Sequence, residues 1–182
     1  DGISKYLQSV SNLDVNYVST TCGDLNSPFR DLYLFDTSLI QALRHRSLTK
    51  IMIILNHPTF DPVTSNANAA IFIAICMRLS TIFSELLKFV DVNICNLFGD
   101  SLLLGLSKEM NRPEQLSTES VSEYFEILTK IINHDAFDPT KSHFVESFFN
   151  IINILGENQV NSINDKLIDI VKIMFVYNKN HS

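Results

Sequence analysis

The chain has no tryptophan, and only five glycines and five prolines occur in its 182 residues. So few turn-forming residues exclude a Gly-rich phosphate loop and the closely spaced tight turns of a β-sandwich. Cysteine is scarce too. Cys22, Cys76 and Cys95 are odd in number and far apart, which argues against a disulfide framework or a zinc site and suits a reducing compartment. Positive charge is in deficit, 14 Lys and Arg against 20 Asp and Glu for a net charge of −6. Such a balance disfavours a general nucleic-acid or anionic-membrane surface, which needs clustered Lys and Arg to displace counterions. Long apolar runs are also missing. The longest, Ala69 to Met77, is too short to span a bilayer and is followed at once by Arg78, so it reads as a buried central helix. At 46% hydrophobic residues, the chain still has enough apolar side chain for the core of one ordinary domain.

What the sequence does contain is an internal repeat. Asn56-His57-Pro58-Thr59-Phe60-Asp61-Pro62 recurs as Asn133-His134-Asp135-Ala136-Phe137-Asp138-Pro139, at an offset of 133 − 56 = 77 residues. At the same offset Leu48 matches Phe125, Ile51 Leu128, Ile54 Ile131, Ser65 Ser142, Ile71 Phe148 and Ile75 Ile152. Each copy closes one apolar periodic stretch and opens another, which predicts a helix-turn-helix joint. Asn at the helix end tolerates the left-handed conformation, Phe60 and Phe137 fold back between the helices, and Asp61 and Asp138 cap the next helix with Pro at its first position.

Patterning predicts an all-α chain. A short helix over Ile3 to Val10 precedes an irregular loop, giving an N-terminal segment 1–36 and a helical-repeat domain 37–182. Asp36-Thr37-Ser38 opens a helix with Leu39, Ile40 and Leu43, and Ser47 opens the next. Residues 62–90 hold one helix or two, with Ser80 or Ser84 as the interruption. Asp91 and Asp100 read as caps for short helices over Val92 to Phe98 and Ser101 to Met110. Ser117 or Thr118 opens an amphipathic helix bearing Val121, Tyr124, Phe125, Leu128, Ile131 and Ile132. Phe144, Phe148, Ile151, Ile152 and Leu155 mark a helix stopped by Gly156, and a last helix runs from Ile163 to Tyr177. Asn178 to His181 faintly echoes the Asn-His helix end.

The duplicated joint and these helix lengths resemble armadillo or HEAT-type α-solenoids over roughly residues 37–177. The resemblance implies stacked antiparallel helix pairs in a right-handed superhelix, and a protein or peptide partner held on one face. The period of the joint is nearly twice that of such repeats, so the analogy requires an intervening degenerate unit between Asp91 and Met110. A compact bundle around the Ala69 to Met77 helix, resembling Bcl-2-like regulators that bind an amphipathic helix, is the alternative. It lacks any matching motif and leaves the duplication unexplained.

No residue set reads as catalytic, metal-binding or cofactor-binding. His57 with Asp61 and His134 with Asp138 have metal-like spacing, but a turn separates each pair and capping accounts for both. Cys76, among Ala and Ile, reads as an inert buried thiol. Arg44, His45, Arg46 and Lys50 form the densest basic cluster, and could receive an acidic peptide or a phosphate; a solvated helix junction is the plainer alternative. Arg44 and Arg46 are the strongest candidates there, because guanidinium groups bind carboxylates in a bidentate way. Phe149 lies to the side of the Phe144/Phe148 stripe and is the candidate for an inter-repeat or partner contact. These features predict an intracellular, cytoplasmic or nuclear interaction module. Asp1 in place of Met, and an apolar last helix, suggest a piece of a larger eukaryotic protein.

Overall fold

The structure, a computed structural model, describes residues 15–16, 18–19, 36–112, 117–157 and 161–181. The helix expected over Ile3 to Val10, and most of the loop after it, lie outside the described residues. Within them the fold is all-α. The helices are α1 (Ser38–Arg44), α2 (Leu48–Leu55), α3 (Ala67–Cys76), α4 (Ser80–Leu86), α5 (Leu102–Met110), α6 (Thr118–Ile132), α7 (Phe144–Glu157) and α8 (Asn161–His181). A short antiparallel ladder pairs β1 (Val18–Ser19) with β2 (Asp36–Thr37), placing Val18 opposite Thr37. No helix among the described residues is long and apolar enough to cross a membrane. The chain divides into two compact units, 1–67 and 68–182.

In the first unit Thr37 caps α1, accepting from the Ile40 N–H at 3.2 Å while its hydroxyl donates to the Ser65 carbonyl at 2.8 Å. Leu39, Ile40, Ala42 and Leu43 turn inward from α1, and Ile51, Ile54 and Leu55 from α2. The two helices meet through a Schellman motif in which Ser47 N–H reaches the Ala42 carbonyl at 3.1 Å and Arg46 N–H the Leu43 carbonyl at 2.8 Å. Arg46 sits at φ 49°, a left-handed position that glycine usually takes. Ser47 occupies the N-cap position of α2 but makes no side-chain cap hydrogen bond.

In α3 of the second unit, Ala70, Ile71, Phe72, Ile73, Ala74 and Ile75 are all buried, so that this stretch has no wet face, while Asn68 near the helix start is exposed. Burial of each large side chain contributes about 1.5–3 kcal/mol relative to exposure. A second Schellman motif, with Arg78 at φ 59°, ends α3 just before Ser80. Ser117 caps α6 through the Ser120 N–H at 3.1 Å, and Val121, Tyr124, Leu128, Ile131 and Ile132 are buried as the periodicity predicts; Phe125 is half-buried.

Several local expectations are corrected. Val92 to Phe98 is not helical. Asp91 accepts from the Asn93 N–H, the Asn96 side-chain oxygen accepts from the N–H groups of Phe98 and Asp100, each at 2.9 Å, and Cys95 bridges to Ser101. Short polar side chains here satisfy the backbone locally and outcompete a helix. Asp100 does not cap α5. Ser101 does, accepting from the Leu104 N–H at 3.2 Å, and its hydroxyl donates to the Ser142 carbonyl. Gly156 does not stop α7, which continues to Glu157, and residues 178–181 extend α8.

One glycine marks a close approach. A Cβ added to Gly105 of α5 would lie 3.4 Å from two carbons of the Phe72 ring of α3. Gly105→Ala therefore fits, and by removing a helix-interior glycine should be neutral or stabilise by up to about 1 kcal/mol. Gly105→Leu should destabilise by about 1–3 kcal/mol through overpacking. Urea denaturation of both variants checks this; equal effects of Ala and Leu would contradict the contact.

Candidate functional site

The joint after α2 and the joint after α6 have the same internal construction. Each begins at an Asn C-cap, Asn56 at φ −92° and Asn133 at φ −91°. Neither is left-handed, contrary to expectation. The left-handed residues come later, Asn66 at φ 57° and His143 at φ 52°, immediately before α3 and α7. In each joint the His Nδ1 accepts a backbone N–H two residues on, Thr59 to His57 at 3.3 Å and Ala136 to His134 at 3.2 Å. Phe60 and Phe137 N–H groups donate to the His57 and His134 carbonyls, each at 2.9 Å.

Asp61 and Asp138 cap an isolated turn and not the next helix. Asp61 accepts from the Val63 N–H at 3.0 Å and from the Thr64 hydroxyl; Asp138 accepts from the Thr140 N–H at 2.9 Å and the Thr140 hydroxyl at 2.6 Å. These donors, hydroxyl first, hold both carboxyls below their ordinary value of 3.8. Phe137 folds back as expected, against Phe144 at 6.5 Å and Tyr177 at 5.4 Å between ring centres, whereas Phe60 is half-buried.

Each joint is clamped by an asparagine from far upstream. Asn16 donates through Nδ2 to the Thr59 carbonyl at 2.7 Å and accepts at Oδ1 from the Asp61 N–H at 2.9 Å and the Ser65 hydroxyl at 2.8 Å. Asn93 donates to the Ala136 carbonyl at 2.6 Å and accepts from the Asp138 N–H at 2.8 Å. Thr59 and Ala136, Asp61 and Asp138, and Asn16 and Asn93 all stand at the offset of the repeated motif. Sequence reasoning missed the clamp. Its signal was Asp14-Val15-Asn16 against Asp91-Val92-Asn93, a match of three residues at that offset. Val15 and Val92 are both buried, which anchors the turn that carries each clamp asparagine.

The predicted basic residues and Phe149 belong to different units. Arg46 and Lys50 are exposed, while Arg44 is half-buried and engaged in its own surroundings. Phe149, on α7, is 58% exposed and stands edge-on to Phe148 at 6.1 Å.

A partly buried polar cluster in the second unit also escaped sequence reasoning. The Cys76 thiol meets the Glu109 carboxylate, which pairs with Arg112 at 2.9 Å. Burial, then the charge of Glu109, pushes the Cys76 thiol up to about 12. The same two causes raise Tyr124, whose buried hydroxyl has no hydrogen-bond partner among the described residues. Arg78 donates to the Ser120 hydroxyl at 2.6 Å beside them. Both Cys76 and Tyr124 keep their protons at neutral pH, so neither is an activated nucleophile or base.

An open groove of about 480 Å³ is lined by Ser84, Leu87, Lys88, Thr129, Lys130, Asn133 and His134. Its hydroxyls are committed within their helices, Ser84 to the Ser80 carbonyl and Thr129 to the Phe125 carbonyl. Lys130 donates to the Ser80 carbonyl at 2.9 Å and Lys88 pairs with Glu85. Lys130 also lies in the last turn of α6, where a positive charge suits the carbonyl-rich helix end. Among the described residues no group of three or more His, Cys, Asp and Glu is placed to hold a metal ion. Comparison with protein-family models, with characterised proteins and with solved structures returns no match.

The lowered carboxyls set a pH dependence. Their folded-state values lie below the unfolded one, so the stability they contribute is present above pH 3.8 and is lost as pH falls through the folded value. Asp138→Asn keeps an acceptor without titrating there. Its stability should fall less between pH 4 and pH 2 than that of the wild type, read by denaturant unfolding; parallel pH profiles would contradict this.

Proposed function

We propose that this chain is a helical-repeat scaffold that binds a protein or peptide partner on one face and performs no chemistry of its own. The observation that carries the reading is the clamped joint. Two joints at a fixed offset share the His-backbone, Asp-turn and Asn-clamp hydrogen bonds. Repetition of a joint suits a stacked array, whose surface is extended and whose function is recognition. A right-handed α-solenoid of antiparallel helix pairs is the arrangement we favour. The groups with raised pKa values, the buried Tyr124 and the half-buried Cys76, serve packing in this reading. The free thiols of Cys76 and Cys95 suit an intracellular setting. A compact bundle with α3 as its central helix also suits the burial of residues 70–75, but gives no reason for two matching joints.

Two surfaces are available to a partner: the α1–α2 junction with Arg44, Arg46 and Lys50, which suits an acidic segment, and the α7 face with Phe149. Affinity capture from a native-source lysate, with Arg44→Glu/Arg46→Glu and Phe149→Asp proteins beside the wild type, tests the reading. We expect one stoichiometric protein to be recovered with the wild type and lost with at least one variant of unchanged thermal midpoint. Recovery of nothing, together with turnover of a small-molecule substrate in an activity screen, would replace the scaffold by an enzyme.

A further inference from the structure

The groove beside α4 and α6 is lined by seven side chains, none of them acidic, in a chain that carries 20 acidic residues against 14 basic. Its volume of about 480 Å³ is that of a ligand-binding cleft, which measures about 300–1,000 Å³. The duplication separates what the joint requires from what is particular to the groove. Asn133 and His134 recur as Asn56 and His57, whereas Ser84, Lys88, Thr129 and Lys130 stand where the first copy of the sequence has Leu7, Ser11, Met52 and Ile53. Both ammonium groups therefore belong to this groove and not to the repeated joint.

Several donors at the groove are still available. His134 Nδ1 accepts the Ala136 N–H at 3.2 Å, so the neutral ring carries its proton on Nε2 and offers it outward as a donor. The Asn133 carboxamide makes no hydrogen bond among the described residues, although its counterpart Asn56 is spent on the Met52 carbonyl. Lys130 gives one N–H to the Ser80 carbonyl and keeps the others. Lys88, 61% exposed, pairs with Glu85 at the surface, and such a pair exchanges its ammonium at little cost. Helix C-termini disfavour anions through carbonyls that lack partners. Here the carbonyls of Phe83, Glu85 and Leu86 at the end of α4 accept N–H groups, and so do those of Thr129, Ile131 and His134 at the end of α6.

We propose that this groove is a binding site for a phosphate monoester, held by Lys88, Lys130, Asn133 and the Nε2–H of His134. A carboxylate has about four lone-pair sites, fewer than the N–H groups that these side chains offer. A phosphate monoester brings three strongly accepting oxygens and a charge of about −1.5 to −2 at neutral pH, which the two lysines match. Two sources share that chemistry, a phosphorylated side chain of a protein partner and a small phosphorylated molecule. The first deepens the scaffold reading by giving the partner its chemistry; the site itself stands without that reading.

The test titrates the full chain with a phosphoserine pentapeptide flanked by Gly and Ala, with its unphosphorylated and aspartate versions, and with inorganic phosphate, followed by backbone and side-chain NMR. We expect saturable shifts at residues 84–88 and 129–134, including the Asn133 carboxamide and the His134 Nε2 signal, with phosphoserine bound about tenfold tighter than aspartate. Lys88→Gln and Lys130→Gln, made singly, should each weaken binding roughly fivefold at an unchanged thermal midpoint. Lys88→Gln carries the test if Lys130→Gln, which touches Ser80, loses stability. Tighter binding of the peptide than of inorganic phosphate assigns the site to a phosphorylated side chain, and the reverse assigns it to a small molecule. Equal affinity for the phosphoserine and aspartate peptides overturns the phosphate assignment. Absence of binding, shifts centred on the Arg44 and Arg46 junction, or affinity that survives both lysine substitutions overturns the site. If the site fails while the wild-type chain still captures a lysate partner, the groove is lost and the scaffold reading survives.

Discussion

The asparagine clamp is the interaction on which the joints depend. A carboxamide offers a donor and an acceptor side by side, and Asn16 and Asn93 each use both on one turn, gripping a carbonyl on one side of a Phe and an aspartate N–H on the other. The gripped groups belong to a segment between helices where no ladder can satisfy them. Leaving such groups without partners costs about 1–3 kcal/mol when they are buried. Because the turn is fixed, the Phe side chain has a defined direction, and Phe137 can close on Phe144 and Tyr177. The start of the following helix is then set by a left-handed residue, Asn66 or His143, and not by the aspartate.

The helices were largely legible because their signals are local. Apolar spacing located α6, and Thr37 and Ser117 announced the caps of α1 and α6. The joints were legible as repeats, but their conformations were not. Asn56 and Asn133 looked like left-handed caps because Asn tolerates that region, yet Asn56 spends its side chain on the Met52 carbonyl at 2.8 Å and stays right-handed. Residues 92–98 carry apolar side chains at helical spacing, and lose the helix because Asp91 and Asn96 bind nearby N–H groups and the segment is committed to the clamp. The clamp itself joins residues more than 40 apart in sequence, Asn16 to Asp61 and Asn93 to Asp138, which no local pattern encodes.

The candidate sites divide along the same line. The exposure of Phe149 was legible because its position on a helix wheel sets it apart from Phe144, which is buried. The Cys76, Glu109 and Tyr124 cluster was invisible because three helices contribute to it, α3, α5 and α6. One pattern of apolar positions is buried in α3, at Ile71, Phe72 and Ile75, and open in α7, at Phe149.

The most direct test of the duplicated joint is native-state hydrogen exchange at the Asp61 and Asp138 amides, in the wild type and in Asn16→Ala and Asn93→Ala proteins. Both amides should be protected in the wild type. Asn16→Ala should release Asp61 alone, and Asn93→Ala should release Asp138 alone. Fast exchange of either amide in the wild type, or protection that survives loss of its asparagine, would contradict the account.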